Sequence, residues 1–310
     1  MNTKTITHLE VEASLNWLEL LTQLTEGHKL PKAKIKDTLI TRRDDTLLSR
    51  VAWIDGLGQL VKTATIFPKN NKKKSIINGS VSLFSDQTGE LEAFIDFHLL
   101  TRWKTAADSL LAAKHLARKN SNNILLVGSG NMSSAMLDAY KSIFPEASFF
   151  VWSRTPKNAA HFAEKNSINL VKSLRGAVRS ADIVCTATMS TEPLIKGGWL
   201  QAGQHIDLIG AYRPDMRELD DNAIKKGKIF VDSYETTVQH IGEIKLPLQS
   251  GVIKNSDILA DFYSLDQFKR SSPSDITIAK NGGGAHLDLM TAKYILNKWK
   301  EKSIKSLDIN

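Results

Sequence analysis

At 310 residues the chain has room for two domains, each with its own core, and its 42% hydrophobic and 24% charged residues exclude a disordered or collagen-like chain. No run of about eighteen apolar residues occurs, and Glu10, Glu12 and Glu19 interrupt the apolar set Leu15, Trp17, Leu18, Leu20, Leu21 and Leu24, so neither a membrane span nor a secretory leader is expected. The net charge of +8 is dispersed without interleaved aromatics, and even its densest run, Lys69-Asn70-Asn71-Lys72-Lys73-Lys74, reads as a solvated loop; small anionic ligands, and no nucleic acid, are the expected partners.

In chain order, an amphipathic helix is predicted over Leu9 to Leu24, followed by short strands with turn signals between them. Ser80 to Phe84 and Ala93 to Ile95 read as a hairpin around Asp86-Gln87-Thr88-Gly89, whose glycine suits a turn position with positive φ. Thr105 to Lys119 is a strong helix by composition, with basic residues suiting its C-terminal dipole. From Asn122 strands alternate with helices, the pattern of a parallel sheet covered on both faces. The strands are Ile124 to Val127, Phe149 to Trp152, Ile183 to Thr186, Ile206 to Ile209 and Ile229 to Val231; the helices are Met132 to Phe144, Asn158 to Lys165, Ser173 to Ser180 and Ala223 to Lys226. The lone cysteine, Cys185, lies in the third of these strands and reads as a small buried hydrophobe; with no disulfide possible, a cytoplasmic setting is expected. A further strand at Asp275 to Ala279, the cluster Gly282-Gly283-Gly284 and a long amphipathic helix from Ala285 close the chain. The fold class is α/β: a Rossmann-type doubly wound parallel sheet over residues 106–284, plus a smaller α/β domain formed by residues 1–105 with 285–310.

Within Asn123-Ile124-Leu125-Leu126-Val127-Gly128-Ser129-Gly130-Asn131-Met132-Ser133, the positions of Gly128, Gly130 and Ser133 match a dinucleotide fingerprint placed directly after a strand and opening a helix. Gly128 permits the tight turn, Gly130 lets the backbone approach a pyrophosphate, and the helix N-terminus presents N–H groups from Asn131 and Met132 onward. An ordinary glycine turn is the competing reading, and the strand-to-helix context favours the cofactor. At the end of the second strand, where an NAD site carries an acid for the ribose hydroxyls, the sequence is Ser153-Arg154-Thr155. Arg154 suits a 2′-phosphate bidentately, and the hydroxyls of Ser153 and Thr155 flank it, so NADPH is expected ahead of NADH. No metal site is expected.

The motifs in order resemble the ornithine cyclodeaminase/mu-crystallin family over nearly the whole chain: TGELEAFIDFHLLTRWKTAADS, GSGNMSS, VWSRT, CTATMSTEPLI, GAYRPDMRELDD and ITIAKNGGGAHLDLMTA. Within it the chain is most similar to the bacterial Δ1-pyrroline-2-carboxylate (ketimine) reductases. The resemblance implies that the smaller domain binds substrate and mediates a homodimer. It also implies that Lys62 and Lys104 bind a substrate carboxylate, with Lys104 standing where most members carry arginine. Arg50 or Arg42 would supply the arginine used elsewhere in the family, Arg50 being retained as the site residue. The resemblance further places Thr186, Ala187 and Thr188 beside the nicotinamide, with the backbone near Ile209-Gly210 and Lys280-Asn281 completing the pocket and His286 and Asp288 close to it.

Cyclodeaminases of the family carry an aspartate after a Gly-Gly or Gly-Ala pair; here Gly210-Ala211 is followed by Tyr212. A phenol, which loses its proton only near pH 10, is a poor substitute for that base. The implied activity is NADPH-dependent reduction of cyclic ketimine carboxylates, Δ1-pyrroline-2-carboxylate to L-proline and Δ1-piperideine-2-carboxylate to L-pipecolate. An NAD-dependent ornithine cyclodeaminase and a non-catalytic NADPH-binding protein of mu-crystallin type are the alternatives.

Overall fold

The computed structural model describes residues 4–70 and 74–307. The elements are β1 (Lys4–Ile6), α1 (His8–Val11), α2 (Trp17–Gly27), β2 (Lys34–Arg42), β3 (Asp45–Ile54), β4 (Gly58–Ile66), β5 (Ile77–Phe84), β6 (Leu91–Ile95) and α3 (Phe97–Leu116). There follow β7 (Asn123–Val127), α4 (Asn131–Ile143), β8 (Ser148–Trp152), α5 (Pro156–Asn166), β9 (Asn169–Leu170), α6 (Leu174–Ser180), β10 (Ile183–Thr186), β11 (His205–Leu208), α7 (Asp221–Lys226) and β12 (Lys228–Val231). The last elements are α8 (Gly242–Gln249), β13 (Ile258–Ala260), β14 (Thr277–Lys280) and α9 (Ala285–Leu307). The chain divides into two compact units, Met1–Lys104 with Gly284–Asn310 and Thr105–Gly283.

In the first unit six strands form one sheet in the order β1-β6-β5-β4-β3-β2, antiparallel except for the parallel pair β1–β6. Helix α9 packs over β2 to β5 and against α2. Period-two alternation is plain on β4, where Leu60, Lys62 and Ala64 are buried while Val61 and Thr63 between them are half-exposed. A lysine therefore occupies an inward position in an otherwise apolar row. The sheet's other face carries exposed Leu47, Val51, Trp53 and Phe94.

Three expectations for this unit need correction. The predicted helix over Leu9 to Leu24 is two helices joined by a 3-10 turn (Glu12–Ser14), because the Asn16 side chain accepts the N–H groups of Leu18 and Glu19 and starts a new helix. The strands expected to be short include three of nine or ten residues, since each is paired along its length with a neighbour. The helix predicted from Thr105 begins at Phe97, where the Asp96 carboxylate accepts the Leu99 N–H. The hairpin between β5 and β6 turns at Gly89, with φ +69°. Of the basic run, residues 71–73 lie outside the described residues, as do 308–310 of the closing segment; Lys69 pairs with Asp44 at 2.7 Å.

The second unit is built on eight parallel strands in the order β13-β12-β14-β11-β10-β7-β8-β9. From β7 the chain winds outward through β8 and β9 on one side, then returns to β10 and β11 on the other, skips a place to β12 and β13, and fills that place with β14. The β7/β10 boundary is thus the topological switch point, where open parallel sheets bind ligands beyond the strand C-termini. Every residue of β10, β11 and β14 is buried; β10 reads as a nearly continuous apolar run, while β11 and β14 bury His205, Asp207, Thr277 and Lys280 among apolar neighbours. Besides the predicted helices the structure contains α8 and a π-helical turn at Tyr234–Val238.

Candidate active site

Four basic or acidic side chains converge inside the first unit. Lys62 of β4 is 6% exposed and donates to Asp288 Oδ1 of α9 at 2.8 Å, with the Phe97 ring 5.0 Å from its ammonium. Burial pushes the Lys62 ammonium down to about 8, against the attraction of Asp288. Asp288 is fully buried; that burial raises its pKa, but Lys62, Lys104 and Arg50 outweigh it and hold the carboxyl below its usual range. Its second oxygen, Oδ2, is buried with no hydrogen-bond partner. Lys104, on α3, is 5% exposed, and its side chain donates to no acceptor among the described residues. An ammonium with no acceptor in the protein around it suits a small anion that supplies one.

Register decides between the two candidate arginines. Arg50 on β3 stands directly opposite Lys62, and it also forks onto Asp37 at 2.9 and 2.7 Å. Arg42 lies at the far end of the β2–β3 hairpin, paired with Asp45 at 3.0 Å and largely exposed, so the structure does not bring it to this cluster. His286, fully buried, lies edge-on to His28 with ring centroids 5.5 Å apart; burial, then His28 and Lys104, push its pKa well down, so the ring is neutral.

In the second unit the glycine loop follows β7 at the switch point. Gly128 has φ +125°, and a Cβ there would stand 2.6 Å from the carbonyl oxygen of Ala187, so the turn tolerates no side chain. Gly130 differs. It caps α4 with no side-chain acceptor, and a Cβ added to it would meet no atom within 4 Å. Packing within the chain does not call for that glycine, whereas a pyrophosphate lying on the N–H groups of Asn131 and Met132 would. These residues fit a dinucleotide. Ser133 is buried at the third fingerprint position, close beneath the turn. The Gly128 N–H donates to Trp152 O at 2.8 Å, which ties the loop to the end of β8 and to Ser153-Arg154-Thr155. Arg154 is exposed there, and Ser153 Oγ donates to Thr155 O at 3.0 Å.

Residues 55–303, four-fifths of the chain, match the sequence profile of the ornithine cyclodeaminase/mu-crystallin family. The chain belongs to that family. It is 42% identical to a Δ1-pyrroline-2-carboxylate reductase of Paracoccus denitrificans over 91% of this chain and 92% of the relative. Among solved structures it is similar to the Thermococcus litoralis Δ1-pyrroline-2-carboxylate reductase in complex with NADH and L-proline, with TM-score 0.88 and 28% identity, covering 97% of this chain and 98% of that one. It is similar also to an archaeal alanine dehydrogenase dimer with bound NAD, with TM-score 0.89 and 29% identity, covering 98% of each chain.

At the position where an aspartate is expected in the cyclodeaminases of the family, the chain carries Tyr212. This side chain is half-exposed, and the nearest acid along the chain, Asp215, is held by Arg213 through contacts of 2.9 and 2.8 Å. Neither residue offers a free buried base. The loops after β10 and β11 are instead fastened to one buried carboxylate. Glu218 accepts the Thr188 N–H at 3.0 Å, the Thr188 hydroxyl at 2.6 Å, and the N–H groups of Gly210 and Ala211 at 3.0 and 3.3 Å. Glu243 in turn accepts the N–H groups of Glu218 and Leu219, and burial followed by repulsion from Glu218 pushes its carboxyl up to about 7.

Of the other residues expected beside a nicotinamide, Thr186 is buried at the end of β10, Ala187 donates its N–H to Val127 O at 2.9 Å, and Ile209 donates to Thr186 O at 3.0 Å. Lys280 is fully buried and its ammonium is spent on the carbonyls of Leu208 and Asn281 at 2.8 and 2.9 Å, so its side chain is not available to a ligand. Cys185 is buried with Sγ 3.6 Å from Asp207, and burial with that carboxylate raises the thiol pKa well above its usual value, which leaves it inert. Among the described residues no group of His, Cys, Asp or Glu could hold a metal ion, and no helix is long and apolar enough to cross a membrane. Sequence reasoning missed Glu218, Glu243 and Asp207. Asp207 carried a signal, an acid inside the apolar strand run Ile206 to Leu208; the two glutamates sit in polar loop and helix-start sequence and carried none.

Proposed function

We propose that this chain is a ketimine reductase that converts Δ1-pyrroline-2-carboxylate to L-proline and Δ1-piperideine-2-carboxylate to L-pipecolate, with NADPH preferred over NADH. The observation that carries the reading is Lys104, a mostly buried lysine whose ammonium has no acceptor among the described residues and which acts electrostatically on Lys62 and Asp288. A small carboxylate supplies the missing acceptor, and fixing it orients the ring for reaction. The nicotinamide, when bound, supplies a hydride from its C4 to the carbon of the C=N bond. The chain's own work is to bind, orient and exclude water, because no covalent step is needed. Similarity to reductases named for this imine supports the substrate, and Tyr212 in place of a buried acid speaks against cyclodeamination.

The preference for NADPH rests on Arg154 and on the lack of an acid after β8; the solved relatives carry NADH and NAD. A homodimer through the outer face of the first unit's sheet belongs to the same reading, supported by exposed Leu47, Val51, Trp53 and Phe94 and by the dimeric relative. A cytoplasmic setting rests on the single buried cysteine.

Following oxidation of NADPH and NADH with each imine in turn tests the whole. Turnover of the cyclic imines, and no ammonia or proline from ornithine, is expected. Tight NADPH binding without turnover of either imine would instead identify a non-catalytic binding protein. Arg154→Ala is expected to weaken NADPH and leave NADH nearly unchanged; equal loss with both would remove the arginine from the phosphate.

A further inference from the structure

Within the buried cluster of the first unit, the donors and acceptors do not balance. Lys62 has one oxygen of Asp288, and Lys104 has no acceptor among the described residues. Asp288 Oδ2 is the reverse case, an acceptor shut away from water with nothing donating to it. Buried polar atoms are almost always paired, so each exception calls for a partner. A carboxylate ligand satisfies the two lysines but is repelled by Oδ2. A ligand that carries a carboxylate and, next to it, a positively charged N–H satisfies all three.

We propose that Asp288 holds the proton on the substrate nitrogen: Oδ2 accepts the N–H of a cyclic iminium whose neighbouring carboxylate is bound by Lys62 and Lys104. This rests on the ketimine-reductase reading and assigns the residue that keeps the imine in its reactive form. Lys62, Lys104 and Arg50 together hold the Asp288 carboxyl below its usual range, so it stays ionised and can only accept. His28 and His286 pack against each other beside the cluster, and His286 is neutral, which leaves Asp288 as the anion of the group.

The electron count is then simple. Hydride leaves C4 of the reduced nicotinamide, which becomes oxidised, and a C–H bond forms at the iminium carbon. The π pair of the C=N bond becomes the lone pair on nitrogen, where the N–H is already in place. The product leaves as a secondary amine and takes its second proton from solvent. Asp288 neither gains nor loses a proton.

A structural role, in which Asp288 only positions Lys62, predicts different behaviour, and the variant Asp288→Asn separates the two. Two competitive inhibitors are used with the NADPH-bound enzyme: L-proline, which has a charged N–H, and cyclopentanecarboxylate, which has none. Loss of one charge-assisted hydrogen bond is expected to weaken L-proline by at least about tenfold, while cyclopentanecarboxylate stays within about threefold of the wild type. Turnover of Δ1-pyrroline-2-carboxylate should fall by at least about tenfold in mild alkali, and the deficit should shrink as acid supplies iminium from solution. Parallel weakening of both inhibitors, or undiminished L-proline binding, overturns the proposal.

Should the variant not fold, the wild type decides. Asp288 stabilises the bound iminium, so kcat should hold its plateau at least about one pH unit above the imine's own pKa in solution. A fall in step with the free imine's titration overturns the assignment. If the wild type reduces no imine, the broader reading fails instead, and direct binding of the same two ligands to the NADPH-bound protein, measured by calorimetry, still reports on Asp288.

Discussion

Replacing Lys104 by methionine deletes a charge while keeping most of the side chain's length, and the structure predicts a large effect on substrate binding and a small one on stability. If Lys104 makes a charge-assisted hydrogen bond to the substrate carboxylate, its loss costs roughly 1.5–3 kcal/mol of binding, or about 10- to 150-fold in KM. The contact is the same in ground and transition states, so kcat should change little. In the free protein Lys104 as a residue is 5% exposed, and its ammonium, with no acceptor among the described residues, keeps some contact with water. Deleting it therefore recovers little desolvation energy, while losing its attraction for Asp288 costs on the order of 1 kcal/mol at the effective dielectric of protein sites. Stability should then be unchanged or lower by about 1 kcal/mol. Initial rates against imine concentration and urea denaturation read the two quantities. An unchanged KM would take Lys104 out of the site, and a loss of more than about 2 kcal/mol at constant m would show that the ammonium is well paired.

Gly128→Ala places a Cβ 2.6 Å from the Ala187 carbonyl at φ +125°, so the reduced nicotinamide, followed by its fluorescence, should bind at least about tenfold more weakly to a folded protein; an unchanged Kd would exclude the loop. Lys62 loses its proton above pH about 8, so KM for the imine should rise on the alkaline side of that value, and a KM flat to about pH 10 would contradict its role. Glu243, pushed up to about 7 from an ordinary 4.5, keeps a proton in the folded chain that the unfolded chain has already released. Its contribution to stability is therefore lost as pH rises between those values, by at most about 3 kcal/mol. Denaturation of Glu243→Gln across that window should show a shallower decline with pH than the wild type; equal slopes would mean that Glu243 is not the group responsible.

Much of the second unit was legible from the chain alone, and the reason is local. Strands such as Ile183 to Thr186 are buried on both faces, so each appears as an unbroken apolar run, and the fingerprint glycines lie within a few residues of the strand and helix they join. Lys62 could also be singled out in the sequence, where it interrupts an alternating apolar row. The long strands β2 and β3 were not legible in the same way. Nearly all of β2 is exposed, so burial imposes no alternation there, and its length comes from pairing with β3. Asn16 was an available helix-start signal hidden inside a continuous amphipathic pattern.

What the sequence by itself determined is the dinucleotide fingerprint, whose glycines can be read where they stand between a strand and a helix. Only the tertiary structure decided which charged groups meet. Strand register sets Arg50, and not Arg42, opposite Lys62. Lys62 meets Asp288 across 226 positions of chain, and the carboxylate of Glu218 gathers two loops that share no local pattern. Such pairings depend on which elements pack together, and the free energy that fixes them is spread over a whole core, so no short segment of sequence contains them.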